Sequence, residues 1–173
     1  MISQKLAKRR FTDAAIRIVN VAADHAIDRG LHVVDQDSYA TLLFWSLIRW
    51  ERKVGLIVLE TIGVQLRELT DQVDVILTRL SAANRVNYNC RTDRAEFEKA
   101  GEPNTGCDYD AVGEPLFTQA EAAARELGVD YVGTEHLLLG IVRCADPVLM
   151  SLFCEHLITY ETVEATIDEL FQL

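Results

Sequence analysis

The chain contains no GxxxxGK[ST] phosphate loop, so nucleotide hydrolysis of the P-loop type is not built into these residues. It also has no long uncharged apolar run, so no membrane-spanning helix and no membrane partner are expected. The basic opening MISQKLAKRR is followed by no apolar h-region, which predicts no secretory signal and gives the cytoplasm as the default compartment. Bases are scarce: 17 Lys and Arg stand against 27 Asp and Glu, a net charge of −10. No broad basic surface remains to neutralise a phosphate backbone, which argues against nucleic acid and for a neutral or basic protein partner. The four cysteines, Cys90, Cys107, Cys144 and Cys154, form neither a CxxC pair nor a zinc-finger frame and read as reduced thiols. Cys144, Cys154 and His156 would suit zinc chemically, but both thiols lie on apolar helical faces, where free cysteine behaves as a small hydrophobe. No metal or other cofactor is expected. Nor is a Ser/His/Asp or Cys/His set spaced as in a known motif, so no catalytic residues and no enzymatic activity are predicted.

What is present is helical patterning, written twice. With 49% hydrophobic residues, the 173-residue chain has material for one good-sized domain or two small ones sharing a core. FTDAAIRIVNVAADHAIDRG (11–30) pairs with YDAVGEPLFTQAEAAARELG (109–128) at an offset of 98 residues, and LFWSLIR (43–49) pairs with LLLGIVR (137–143) at an offset of 94. The first copy therefore holds four extra residues, about one helical turn, which nearly preserves the facing of its apolar stripe. Farther on, VLETIGVQLRELTDQVDVIL matches LFCEHLITYETVEATIDELF at the shorter offset. Each copy reads as four helices. The pattern predicts an all-α fold of about eight helices, two tandem four-helix repeats packed with pseudo-twofold symmetry in one compact domain. Residues 1–10 form an N-terminal tail, 11–80 a degenerate first repeat, 81–108 a polar linker and 109–173 the second repeat.

Local signals agree with the repeat. Ile16, Val19, Ala23 and Ala26 recur at helical steps, with Thr12 and Asp13 as caps and Gly30 as the stop. Asp37 to Arg52, with Trp45 and Trp50, is apolar over most of its surface and should be a buried central helix. VGLIVLETIGV (54–64) would also suit a buried strand, but its counterpart PVLMSLFCEHL opens with a proline fit for a first helical turn, and the repeat decides for helix. Pro115 should make the first helix of the second copy begin at about Glu114.

One stretch, YVGTEHLLLG (131–140), sets polar residues against a run of leucines. Gly133 frees the backbone, Thr134 is placed to cap the helix, Glu135 falls in the first turn where the helix dipole favours an acid, and His136 fits a partly buried histidine. Two uses remain open on these residues alone: a structural cap, or a site whose helix-start amides receive an anion while the carboxylate clamps a guanidinium.

With AAARELGVD before it, YVGTEHLLLGIVR resembles the Clp N-terminal domain family, the tandem four-helix repeats at the front of ClpC- and ClpA-type AAA+ unfoldases. The first copy keeps FTDAAIRIVNVAADHA and LETIGV but offers DQDS (35–38) where the family shows GTEH. The two copies cover all but the tail and the linker. The chain looks like a freestanding N-domain or a fragment of a longer ATPase. The resemblance implies a binding module that recognises protein substrates or adaptors for a Clp AAA+ ATPase or protease, or an accessory subunit that docks on one without touching substrate. It also implies phosphoarginine recognition, with Glu135 taking the guanidinium and Thr134 and the amides beside Gly133 taking the phosphate. Asp37 aligns with Glu135 as the acid of a second site, where Asp35 and Gln36 replace the Gly and Thr.

Overall fold

The computed structural model describes residues 2–29, 31, 36–49, 53–91 and 109–171. Nine helices occur among them: α1 (Ile2–Lys8), α2 (Asp13–Asp28), α3 (Gln36–Arg49), α4 (Val54–Ile62), α5 (Leu66–Arg91), α6 (Tyr109–Glu126), α7 (Thr134–Arg143), α8 (Pro147–Glu155) and α9 (Tyr160–Phe171). The architecture is all-α. Corresponding helices end in step: Asp28 and Glu126 are 98 residues apart, and Arg49 and Arg143 are 94 apart. The four extra residues of the first copy lie within α3, which has 14 residues against 10 in α7.

The two centres of the fold are α3 and α7, which pack on each other and on the outer helices. From Tyr39 to Ile48 every residue of α3 is buried, and from Thr134 to Val142 every residue of α7 is. A helix apolar all round has no face for solvent, so the remaining helices wrap it. Helix α2 opens on Thr12, whose hydroxyl accepts from the Ala15 amide at 3.3 Å, as the sequence predicts for this cap. Its buried stripe is Ala15, Ile18, Val19, Ala22 and Ala26, so Ile16 and Ala23, expected inside, sit at its edge. Beyond α2, Arg29 and Trp45 both donate to Asp74 Oδ1 at 2.8 Å, and the His25 ring stacks on Trp45 at 3.7 Å, which ties α2, α3 and α5 together. Gly30, Trp50 and residues 92–108 lie outside the described residues.

Three expectations are corrected. The supposed tail contains α1, which buries Leu6 and is pinned to α6 by Arg9, bonded to both Glu114 and Glu121 at 2.6 Å. The start of the supposed linker is helical, because α5 continues to Arg91. And α6 begins at Tyr109 with Pro115 inside it. Pro115 is the seventh residue of α6, past the first turn whose N–H groups have no ladder partner, so the helix runs through it with one ladder bond missing.

Helices α4 and α8 end alike. The N–H groups of Gly63 and Val64 donate to Glu60 and Leu59 oxygens, and those of Leu157 and Ile158 donate to Cys154 and Phe153 oxygens. This closure needs a left-handed residue, which is Gly63 (φ 95°) in one copy and Leu157 (φ 57°) in the other. Leu157 is 71% exposed, so little packing offsets its backbone strain. Leu157→Gly is expected to stabilise the fold by roughly 0.5–1 kcal/mol once glycine's greater chain entropy is counted, measurable by urea denaturation.

Candidate functional site

The first turn of α7 is held from below, from above and from the side. Gly133, not Thr134, is the N-cap residue, and it has no side chain with which to bond the turn. Capping comes from the opposite direction, as the Gly133 N–H donates to His136 Nδ1 at 2.9 Å. Thr134 is thereby released from capping and turns its hydroxyl toward α4, where it accepts the Gly55 N–H at 3.0 Å. The same hydroxyl makes a longer contact to Glu135 Oε2 at 3.4 Å, and the carboxylate folds back over Gly133, leaving no room for a Cβ there.

Burial decides the electrostatics of this turn. Thr134, Glu135 and His136 are all buried, the Glu135 side chain being 5% exposed. Desolvation raises the Glu135 pKa, opposed by its own amide and by the Thr134 hydroxyl. Burial lowers that of His136 to about 4. Glu135 Oε1 lies 3.3 Å from His136 Nδ1, but Nδ1 already accepts from Gly133, so the ring is neutral with its proton on Nε2, and the contact is no ion pair. The turn is a connected polar cluster under the surface, with Tyr131, 42% exposed, edge-on to His136 at 5.9 Å between ring centres.

Gly133, Thr134 and Glu135, the residues singled out for a ligand, are consecutive at the start of α7 and buried there. In the first copy Asp37 belongs to the first turn of α3, but its side chain lies outside the described residues, as do residues 32–35. Cys144 is half-buried, Cys154 is exposed where an apolar face was expected, and His156 is engaged by Gln72 Oε1 at 2.6 Å. Among the described residues no group of three or more His, Cys, Asp or Glu side chains is arranged to hold a metal ion. No single described helix is long and apolar enough to cross a membrane.

No family model matches the chain. Over 136 residues, 78% of its length, it is 27% identical to the ATP-dependent Clp protease ATP-binding subunit ClpA homolog of Guillardia theta. Over the same length it is 26% identical to the chloroplastic chaperone protein ClpC of Pisum sativum. The match falls in the N-terminal region of these relatives and spans only 14% of the first and 12% of the second. The chain is Clp N-domain-like. Its fold is shared with a solved structure from preliminary structural investigations of a malarial protein secretion system, at a TM-score of 0.64 and 20% identity, covering 94% of this chain and 95% of that one.

Two residues of this Clp N-domain-like turn escape a reading by spacing. Gly55 is 79 positions from the hydroxyl it bonds, and only the parallel between VGLIVLETIGV and PVLMSLFCEHL draws notice to the segment that carries it. Tyr131 adjoins the motif, and its adjacency was the one available signal. The neutral, buried His136 makes a pH prediction. Unfolded, the imidazole takes a proton near 6.5, and folded only near 4, so its contribution to stability is present above 6.5 and is lost as pH falls through that window. The slope reaches at most about 1.4 kcal/mol per pH unit. Glu135, raised rather than lowered, works in the opposite sense, losing its contribution as pH rises through its folded value. In paired urea titrations, His136→Asn is expected to be less stable than wild type at pH 7 and to lose less stability than wild type between pH 6.5 and 4.

Proposed function

We propose that the chain is a non-enzymatic, cytoplasmic protein-binding module that recognises substrates or adaptors for a Clp chaperone-protease, with arginine-phosphorylated side chains as the ligand at Gly133, Thr134 and Glu135. What supports the reading is the alignment of 78% of the chain with ClpA- and ClpC-type proteins. The chemistry of the turn fits the ligand. A carboxylate takes a guanidinium through paired, charge-assisted hydrogen bonds, and amides at a helix start receive a phosphate. Burial favours protonated Glu135, and an arriving guanidinium would favour its ionised form, so binding and ionisation reinforce each other. Entry requires the buried carboxylate to leave its place over Gly133. Asp37, at the start of α3, supplies the corresponding acid for a second, weaker site.

A second reading, an accessory subunit that docks on a Clp ATPase or protease without reading substrate, is favoured by one observation: the carboxylate that would recognise the ligand is 5% exposed and already engaged. Calorimetric titration of an arginine-phosphorylated peptide separates the two. Wild type is expected to bind it more tightly than the unphosphorylated peptide, and Glu135→Gln, checked for folding by circular dichroism, is expected to bind at least roughly tenfold more weakly, the scale of one hydrogen bond to a charged group. Equal affinity for both proteins, or none for either, refutes peptide recognition at this turn. Retention of a Clp ATPase by both proteins would then support the docking reading.

A further inference from the structure

Helices α4 and α8 hold equivalent places in the two repeats, yet only α4 is closed over by the last helix of the other repeat. Helix α9 packs against α4, while the matching pair, α5 and α8, leaves a groove of about 510 Å³. One residue position differs sharply between the two helices. Gly55 lets α4 come down on α7 until its own N–H reaches the Thr134 hydroxyl, and a Cβ there would stand 2.9 Å from the Thr134 carbonyl oxygen. The counterpart of Gly55, 94 residues on, is the fully buried Leu149, and α8 meets α3 through the edge of Phe153 on Phe44, ring centres 4.8 Å apart. Side chains of that size hold α8 away, and the cleft beside α5 stays open.

The open face is apolar in the middle and charged at two opposite corners. Val75 on α5 is 50% exposed and Val148 on α8 is 56% exposed, above the buried Leu152 on the groove floor. The bond from His156 to Gln72 marks the end where Glu155 lies. Arg79 is seven residues farther along α5, about 10 Å away at the helical rise, and lines the same groove as Pro147 and Val148. Neither Arg79 nor Glu155 makes an ion pair with a described residue.

We propose that this face docks a second copy of the chain. A twofold axis through the centre of the groove exchanges its corners, so Arg79 of each copy meets Glu155 of the other, and the exposed Val148 ridge of each α8 enters the opposite groove. A face with one unpaired base and one unpaired acid at opposite corners is complementary to itself. The net charge of −10 opposes association, so the contact forms best at physiological salt, where repulsion between distant charges is screened beyond about 8 Å. The proposal is independent of peptide recognition at α7.

Sedimentation equilibrium of the whole chain at physiological ionic strength, from micromolar to submillimolar concentration, tests it. Wild type is expected to pass from monomer to dimer with rising concentration. Val148→Asp and Arg79→Glu should each weaken the dimer at least roughly tenfold, and the double swap Arg79→Glu with Glu155→Arg should regain most of that loss. These side chains are exposed, so unchanged thermal unfolding confirms that folding is intact. Monomer at every concentration overturns the proposal, as does a dimer indifferent to Val148→Asp or a double swap no better than the single. Capture by monomeric wild type of another protein's amphipathic helix, abolished by Val148→Asp, would assign the groove to that partner and equally overturn it.

Discussion

The contact on which the joining of the two repeats depends is a close helix-to-helix approach: the first turn of α4 lying against the first turn of α7, with the Gly55 N–H donating to the Thr134 side-chain hydroxyl. Helix backbones approach this closely only where no side chain intervenes, and Gly55 removes it. Because Thr134 is used sideways, it is not available to cap its own helix, and His136 does so from the third position. The Glu135 carboxylate, in long contact with the same hydroxyl, lies over Gly133. The geometry of the whole polar turn follows from how closely α4 packs.

That turn answers why polar side chains precede a run of leucines. A buried helix start leaves amides that water does not reach, and these must find partners within the protein. Here histidine, threonine and glutamate meet one another and two backbone amides, in a cluster whose desolvation holds the imidazole neutral and pushes the carboxyl toward its neutral form. The same groups that could read a charged ligand are groups the fold uses to satisfy itself. A ligand at α7 would have to displace internal hydrogen bonds, while the α5 and α8 face meets solvent without rearrangement.

The helices were legible to the extent that their periodicity was local. The insertion of a turn in the first copy, the Thr12 cap, the central helix from α3 and the helical nature of VGLIVLETIGV could be read from spacing and from comparison of the copies. Misreadings arose where a long-range contact overruled a local signal. A short basic segment looks like a tail until Glu114 and Glu121 on α6 hold Arg9. A proline looks like a helix start unless the first turn forms ahead of it, as it does at Tyr109. The capping expected of Thr134 falls instead to His136 acting on the Gly133 N–H, while the Thr134 hydroxyl serves Gly55, and both contacts become visible only in three dimensions.

By itself the sequence determined that this is a doubled helical protein with two buried central helices and a polar turn at the start of the second, because apolar periodicity and repeat register are properties of neighbours along the chain. The tertiary structure alone decided that the turn is closed, which tautomer His136 holds, and that one inter-repeat cleft is filled while its counterpart is open. Those outcomes depend on how near two helices can approach. In one copy Gly55 admits the close approach to Thr134, and in the other Phe153 meets Phe44, contacts made across the core and not along the sequence.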